Sequence, residues 1–136
     1  MANLPIFDIA GSALQAQSTR LNTLASNLAN ASNVSGDPNT VYKPIEPMFR
    51  ATAVAGGDPA LRGVTVTSVE QSQAAPLKRY EPGHPQADAQ GYVYAPDIDP
   101  VAQMVNLISA SRSYQSGVEM LNTAKELALA TLSINR

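Results

Sequence analysis

The chain has 136 residues, a formal net charge of −2, no cysteine, no tryptophan and only seven other aromatic residues, five Tyr and two Phe. That length supports one domain with an aliphatic core. The missing cysteines exclude disulfides, thiolate metal sites and a cysteine nucleophile, and the absence of any Lys/Arg run removes the electrostatic basis for nucleic-acid or membrane-surface binding.

The segment Met1–Ala10 has no basic leader, long apolar core or small-residue cleavage pattern, so it does not read as a secretory signal peptide. No apolar run approaches the roughly 20 residues needed to span a bilayer. Export from the cytosol would therefore use a route that cleaves no signal.

No proline lies between Ile6 and Asp37, and this stretch has helical periodicity. Phe7, Leu14, Leu21 and Leu28 recur every seven residues, with Ala10, Gln17, Leu24 and Ala31 three further on. This is a heptad seam. Asn3 is placed to cap the helix, Pro5 suits its first turn, and Asp8 complements the positive end of its dipole. The Asn/Ser/Gly-rich run Asn30–Gly36 ends it. Between Gly11 and Ser35 the opposite face is Ser, Thr, Asn and Gln with Arg20 as its only charge. A solvated helix usually carries Glu and Lys there, so this face is expected to be covered by protein.

The middle, residues 37–98, holds most of the prolines and glycines. Val64–Val69 alternates apolar and polar side chains as a half-buried strand does, Gly91–Tyr94 is a second strand candidate, and Met48–Val54 a third. Together they predict a small hairpin-like module. The segment Tyr80–Pro85 is expected to be extended or turning, with Pro82, Gly83, His84 and Pro85 fixing a turn.

The second helix is expected to begin at Asp99, an N-cap followed by Pro100 at the first helical position. Met104, Leu107, Ser111, Tyr114, Val118, Leu121, Lys125, Ala128 and Leu132 step by three and four, a second seam interrupted at Ser111 and Lys125. Beyond Lys125 the helix is apolar on most sides, an end that requires cover. The predicted fold class is therefore mainly α. Long terminal helices (residues 1–36 and 99–136) pack as an antiparallel coiled-coil-like pair, with a small irregular or β-hairpin-containing middle (37–98).

Catalytic readings are weak. His84 with Asp88 lacks the further ligands a zinc site needs, and its Gly and Pro neighbours favour a turn. Asp97 and Asp99 are better explained as loop and cap residues than as an acid–base pair. No serine sits in a nucleophile elbow, and Gly56-Gly57 is not followed by the Lys-Ser/Thr of a phosphate loop. No cofactor or metal is expected. Leucines at helical spacing also form the core of self-contained bundles. Here two long helices stand at opposite chain ends with no third or fourth to close a bundle, which favours assembly.

Ser12-Ala13-Leu14-Gln15-Ala16-Gln17, Arg20-Leu21 and Ala25-Ser26-Asn27-Leu28-Ala29-Asn30 resemble the N-terminal signature of the flagellar rod and hook axial proteins. Met104-Val105-Asn106-Leu107-Ile108, Arg112-Ser113-Tyr114-Gln115 and Asn122-Thr123-Ala124-Lys125 are similar to the family's C-terminal signature. Tyr80-Glu81-Pro82-Gly83-His84-Pro85, Ala87-Asp88 and Gly91-Tyr92-Val93 resemble the middle segment of its proximal rod members. Asp97-Ile98-Asp99-Pro100 departs from the family's usual Asn-Val-Asp, and Ser116-Gly117 from its common Ala-Asn. Gly117 inside a helix costs about 1 kcal/mol relative to Ala and marks either a close helix contact or a bend.

The resemblance implies a structural subunit of the proximal rod of the bacterial flagellar basal body. Such subunits assemble through terminal helices into a tubular drive shaft that crosses the periplasm, transmits torque and encloses an export channel. Partners would be other copies, adjacent rod proteins and, during secretion, the flagellar type III export apparatus. Residues expected at the assembly interface are Leu14, Leu21, Leu24, Asn27, Leu28, Asn30, Met104, Leu107, Tyr114, Val118, Leu121 and Leu132. Two other readings are a freestanding coiled-coil adaptor or export chaperone, and a small hydrolase built on His84.

Overall fold

The computed structural model describes residues 5–54 and 58–134. The expected cap Asn3 and the Gly56-Gly57 pair lie outside them. In chain order the elements are α1 (Pro5–Asn30), β1 (Ile45–Ala53), β2 (Arg62–Gln71), β3 (Leu77–Tyr80), β4 (Tyr92–Ala95) and α2 (Pro100–Ile134). Their strands form two separate antiparallel pairs, β1 with β2 and β3 with β4. β3 is the strand that sequence periodicity does not reveal, because four residues with two cations, Leu77-Lys78-Arg79-Tyr80, are too short to show alternation.

α2 begins where its cap places it. The Asp99 side chain accepts the Val101 N–H at 2.9 Å and the Asp99 carbonyl accepts the Gln103 N–H at 3.0 Å. At the other end of the connection, Asn30 closes α1: its Nδ2 donates to the Ser26 carbonyl at 2.8 Å and its Oδ1 accepts from Asn33 Nδ2 at 2.8 Å.

α1 is packed on two sides. One side, at Ala10, Ala13, Leu14 and Gln17, borders Arg112–Met120 of α2. The other, at Ser12, Ala16 and Thr19, lies on Val64–Val66 of β2. Uncharged polar residues on that second side are therefore covered by the chain's own hairpin. Ser12 shows the economy of a short hydroxyl here, because its Oγ donates to the Ile9 carbonyl at 2.8 Å while accepting the Val64 N–H at 3.0 Å. Gly63 is buried against it, and a Cβ there would come within 2.9 Å of the Ser12 Oγ.

Among the described elements, α2 packs against α1 alone. Its less exposed positions are Gln103, Leu107, Ala110, Ser111, Gly117, Leu121, Ala124 and Ala128, with Tyr114 at 37% exposure. Sequence periodicity gives the Leu107, Tyr114, Leu121, Ala128 row of this seam. The companion row is Gln103, Ala110, Gly117 and Ala124, one residue before the expected Met104, Ser111, Val118 and Lys125. The shift has a steric cause: Ala and Gly let the two helices approach, whereas the larger Met104 is 52% exposed and Val118, at the same 37% as Tyr114, stands at the edge of the seam.

Gly117 is a close-contact position. A Cβ added there would lie 2.9 Å from Leu14 Cδ2. Because that atom ends a flexible side chain, Gly117→Ala is expected to be nearly neutral, its helix-propensity gain of about 1 kcal/mol offsetting the repacking of Leu14. Gly117→Leu has no such escape and is expected to cost about 2–3 kcal/mol. Urea midpoints of the two variants, followed by circular dichroism, check the difference.

Candidate assembly interface

Asn27 is the best-anchored polar residue of α1, 2% exposed. Its Nδ2 donates to the Ile45 carbonyl at 2.9 Å, and its Oδ1 accepts both the Ile45 N–H at 2.9 Å and the Tyr42 hydroxyl at 3.0 Å. The side-chain amide thus meets both backbone groups of Ile45 as a neighbouring strand would, tying α1 to the start of β1. Tyr42 Oη also lies 3.1 Å from Ser26 Oγ. Sequence patterning marks this region only as charge-free. The pairing with Ile45 is 18 residues away and leaves no periodic signal.

The middle of the chain clamps the ends of the helices. Ser35 and Tyr94 exchange N–H···O bonds at 2.9 and 2.8 Å, joining the exit of α1 to the strand that leads into α2. Asp88 Oδ1 accepts the Tyr92 and Gln90 N–H groups at 2.8 and 2.9 Å, and Gly91 turns with φ +82°. In the Pro82–Pro85 stretch, the His84 N–H donates to the Glu81 carbonyl at 3.0 Å, and His84 Nδ1 accepts the Gln86 N–H at 3.1 Å. His84 and Asp88 are thus both occupied by local backbone. Among the described residues no group of three His, Cys, Asp or Glu side chains is placed to hold a metal ion.

The remaining expected interface residues divide into two sets. Leu24 is buried, and Leu14, Leu21, Leu28, Leu107 and Leu121 are half-buried. Met104, Tyr114, Val118 and Leu132 are exposed, Tyr114 and Val118 to 37% and Leu132 to 69%. The exposed set belongs to a wider apolar surface on α2, which also includes Val101 (68%), Leu127 (65%) and Ile134 (86%). No helix is long and apolar enough to cross a membrane among the described residues. Apolar exposure on this scale instead marks a surface made for protein contact.

Hollows flank the helix contact. One, of 550 Å³, is bordered by Ile9, Leu14, Gln17, Arg112, Gly117 and Met120; another, of 330 Å³, lies where Leu24 and Asn27 meet β1, Gln103 and Asn106. Gln17 Oε1 and Gln103 Oε1 are shut off from solvent with no hydrogen-bond donor. The open packing leaves the contact between the two helices incompletely filled.

Such long, unevenly covered terminal helices around a small β module suit a subunit of a larger assembly, and the relatives agree. Residues 7–36 match the family model described as flagella basal body rod protein, and residues 89–134 match that of the flagellar basal body rod FlgEFG protein C-terminal. These models define a class of structural axial proteins, with no enzymatic role. The chain is 53% identical over its full length, and theirs, to the flagellar basal-body rod protein FlgC of Escherichia coli O157:H7 and of Salmonella typhimurium. It is 48% identical, again end to end, to that of Yersinia enterocolitica. The chain belongs to the FlgC family of flagellar basal-body rod proteins.

Proposed function

We propose that the chain is a subunit of the proximal rod, and that its terminal helices pair antiparallel, as in a coiled coil, and assemble with neighbouring copies and adjacent rod proteins. The resulting tube transmits torque across the periplasm and encloses the export channel. The order of helix contacts supports the pairing: Leu14 lies at Gly117, while Leu24 and Asn27, further along α1, share a hollow with the earlier Gln103 and Asn106. On this reading residues 5–36 and 99–134 act as one rod-core unit and residues 37–98 as its brace. Export of the chain would pass through the flagellar type III apparatus without signal cleavage.

The observation that carries this reading is the amount of uncovered surface. A compact monomer of 14.3 kDa exposes about 6,800 Å², whereas this chain exposes 9170 Å². The surplus of about 2,400 Å² exceeds what one standard interface buries in total. A freestanding adaptor would not leave it open. Cells lacking the chain are expected to be non-motile, with basal bodies that stop at the rod, and to swim again on complementation; normal basal bodies without it would overturn the assignment.

The isolated monomer is expected to be frayed at both helical ends and to order on incorporation. Circular dichroism at low concentration should then give much less helicity than the 26 and 35 residues of α1 and α2 require. Full helicity with a single cooperative melt would contradict this.

A further inference from the structure

The two strand pairs leave open edges that match one another. Along an antiparallel strand the backbone groups face alternately toward and away from the partner strand, and opposed residues face the same way relative to the pair. Tyr94 exchanges both of its backbone bonds with Ser35. Tyr92 gives its N–H to Asp88 Oδ1 at 2.8 Å and takes the Asp88 N–H on its carbonyl at 2.8 Å. The outer edge of β4 is thereby closed. Their partners in β3, Lys78 and Tyr80, turn their backbone groups to the outer edge of that strand, where nothing bonds them among the described residues. In the other pair Ile45 directs both backbone groups at Asn27, so its partner Gln71, and Val69 two residues before it, face the outer edge of β2. Ser12 covers that edge at Val64, whereas Val69 is free and the Gln71 carbonyl holds only the Gln73 side-chain amide, at 3.2 Å. β1 offers a poorer edge, because Pro47 lacks a donor.

We propose that the outer edge of β3 in one copy pairs antiparallel with the Val69–Gln71 end of β2 in the next, joining the two strand pairs into one sheet across the subunit boundary. The proposal rests on the rod-subunit reading and adds a β contact to it. Charge complementarity favours a second copy as the occupant. With Tyr80 opposite Val69 and Lys78 opposite Gln71, Arg79 falls opposite Glu70. An aromatic residue then meets a β-branched one and a cation meets an anion, both favourable cross-strand pairs. Glu70 lacks such a cation in its own copy: it stands across from Glu46, a like-charged pair, and neither forms an ion pair among the described residues. Arg79 has one exposed ion pair, with Glu81 at 3.6 Å, which contributes little by itself. Lys78 does not obstruct the edge, since its Nζ is folded to 3.9 Å from the centre of the Tyr92 ring. The cations of β3 also discourage pairing with strands that carry no acidic residue. Because the two edges differ, the contact is heterologous and repeats from copy to copy. Within one copy β2 and β3 do not touch.

The cysteine-free chain permits a direct test. Opposed residues that exchange no backbone bonds lie about 4.5 Å apart at Cα, within disulfide reach, and Glu70 and Arg79 form that kind of pair in the proposed register. A chain carrying Glu70→Cys and an epitope-tagged chain carrying Arg79→Cys are expressed beside the wild type, and intact cells are mildly oxidised. A disulfide-linked dimer containing both variants is expected, and none when either is expressed alone. Linked dimers from one variant alone, or no linked dimer with both variants present in purified rods, would overturn the proposal. Placing both cysteines in a single chain separates contact between copies from closure within one. A ladder of linked copies is expected, and a monomer closed on itself overturns the proposal. A second readout is independent of cross-linking. Lys78→Pro deletes an outward N–H and leaves the bonds between β3 and β4 in place, so it is expected to abolish swimming, whereas Lys78→Ala is expected to swim. Normal swimming of Lys78→Pro also overturns the proposal. Any of these failures, with the wild-type chain still recovered in purified rods, would leave the rod-subunit reading standing.

Discussion

Leu24→Asp is expected to abolish rod assembly and swimming while the protein is still expressed. Leu24 is buried where α1, α2 and β1 converge, beside Gln103 and Asn106. Removing its side chain alone costs about 2–5 kcal/mol, and burying a carboxylate there adds a desolvation cost that Arg20, bordering the same hollow, offsets only in part. A domain of this size has a total stability of about 5–15 kcal/mol, so the change removes a large share of what holds the helix pair together. Leu21→Asp, at a half-buried position of the same helix, is expected to impair swimming in the same direction with a smaller loss of stability. Soft-agar swimming, immunoblots and electron microscopy of basal bodies check the pair. Normal motility of Leu24→Asp would show that the contact between the terminal helices is dispensable.

Asn27→Ala should detach the hairpin from α1. It leaves the Ile45 N–H, the Ile45 carbonyl and one bond of the Tyr42 hydroxyl without their partner, and each buried unsatisfied group costs about 1–3 kcal/mol. The expected total is about 3 kcal/mol. Tyr42→Phe removes only the hydroxyl, leaves Asn27 paired with Ile45, and should cost about 1 kcal/mol. Urea titration of Asn27→Ala and wild type followed by Tyr fluorescence, which has no Trp background in this chain, tests the larger effect. Hydrogen exchange at the Ile45 amide, measured on all three proteins, tests the order. Equal effects of the two substitutions would make the hydroxyl, not the amide, the anchor.

Much of the architecture was legible in the sequence because its signals are local. Asp99-Pro100 starts α2 through a cap that acts within two residues. The leucines of α1 repeat at a helical period, and Val64–Val69 alternates within β2. The assembly class was legible too, from the contrast between long apolar seams and a near absence of charge. Periodicity could not decide between two adjacent stripes of α2, because each has three-and-four spacing. It placed Met104 and Val118 on the seam, where the structure has Gln103, Ala110, Gly117 and Ala124.

Heptad spacing, the N-cap, the signature segments and the shortage of charge thus determined, without coordinates, that this chain is helix, β-containing middle, helix, and that it is built for contact with other chains. Tertiary structure alone decided which faces are already occupied. The polar face of α1 is covered by β1 and β2 through Asn27, Ser12 and their backbone partners, and Gly117 is a close contact with Leu14, not a bend. The reason is physical: a helical period fixes which residues share a stripe, but the partner of each stripe is set by side-chain volume and by hydrogen bonds between residues 18 and 52 positions apart, which no local pattern encodes.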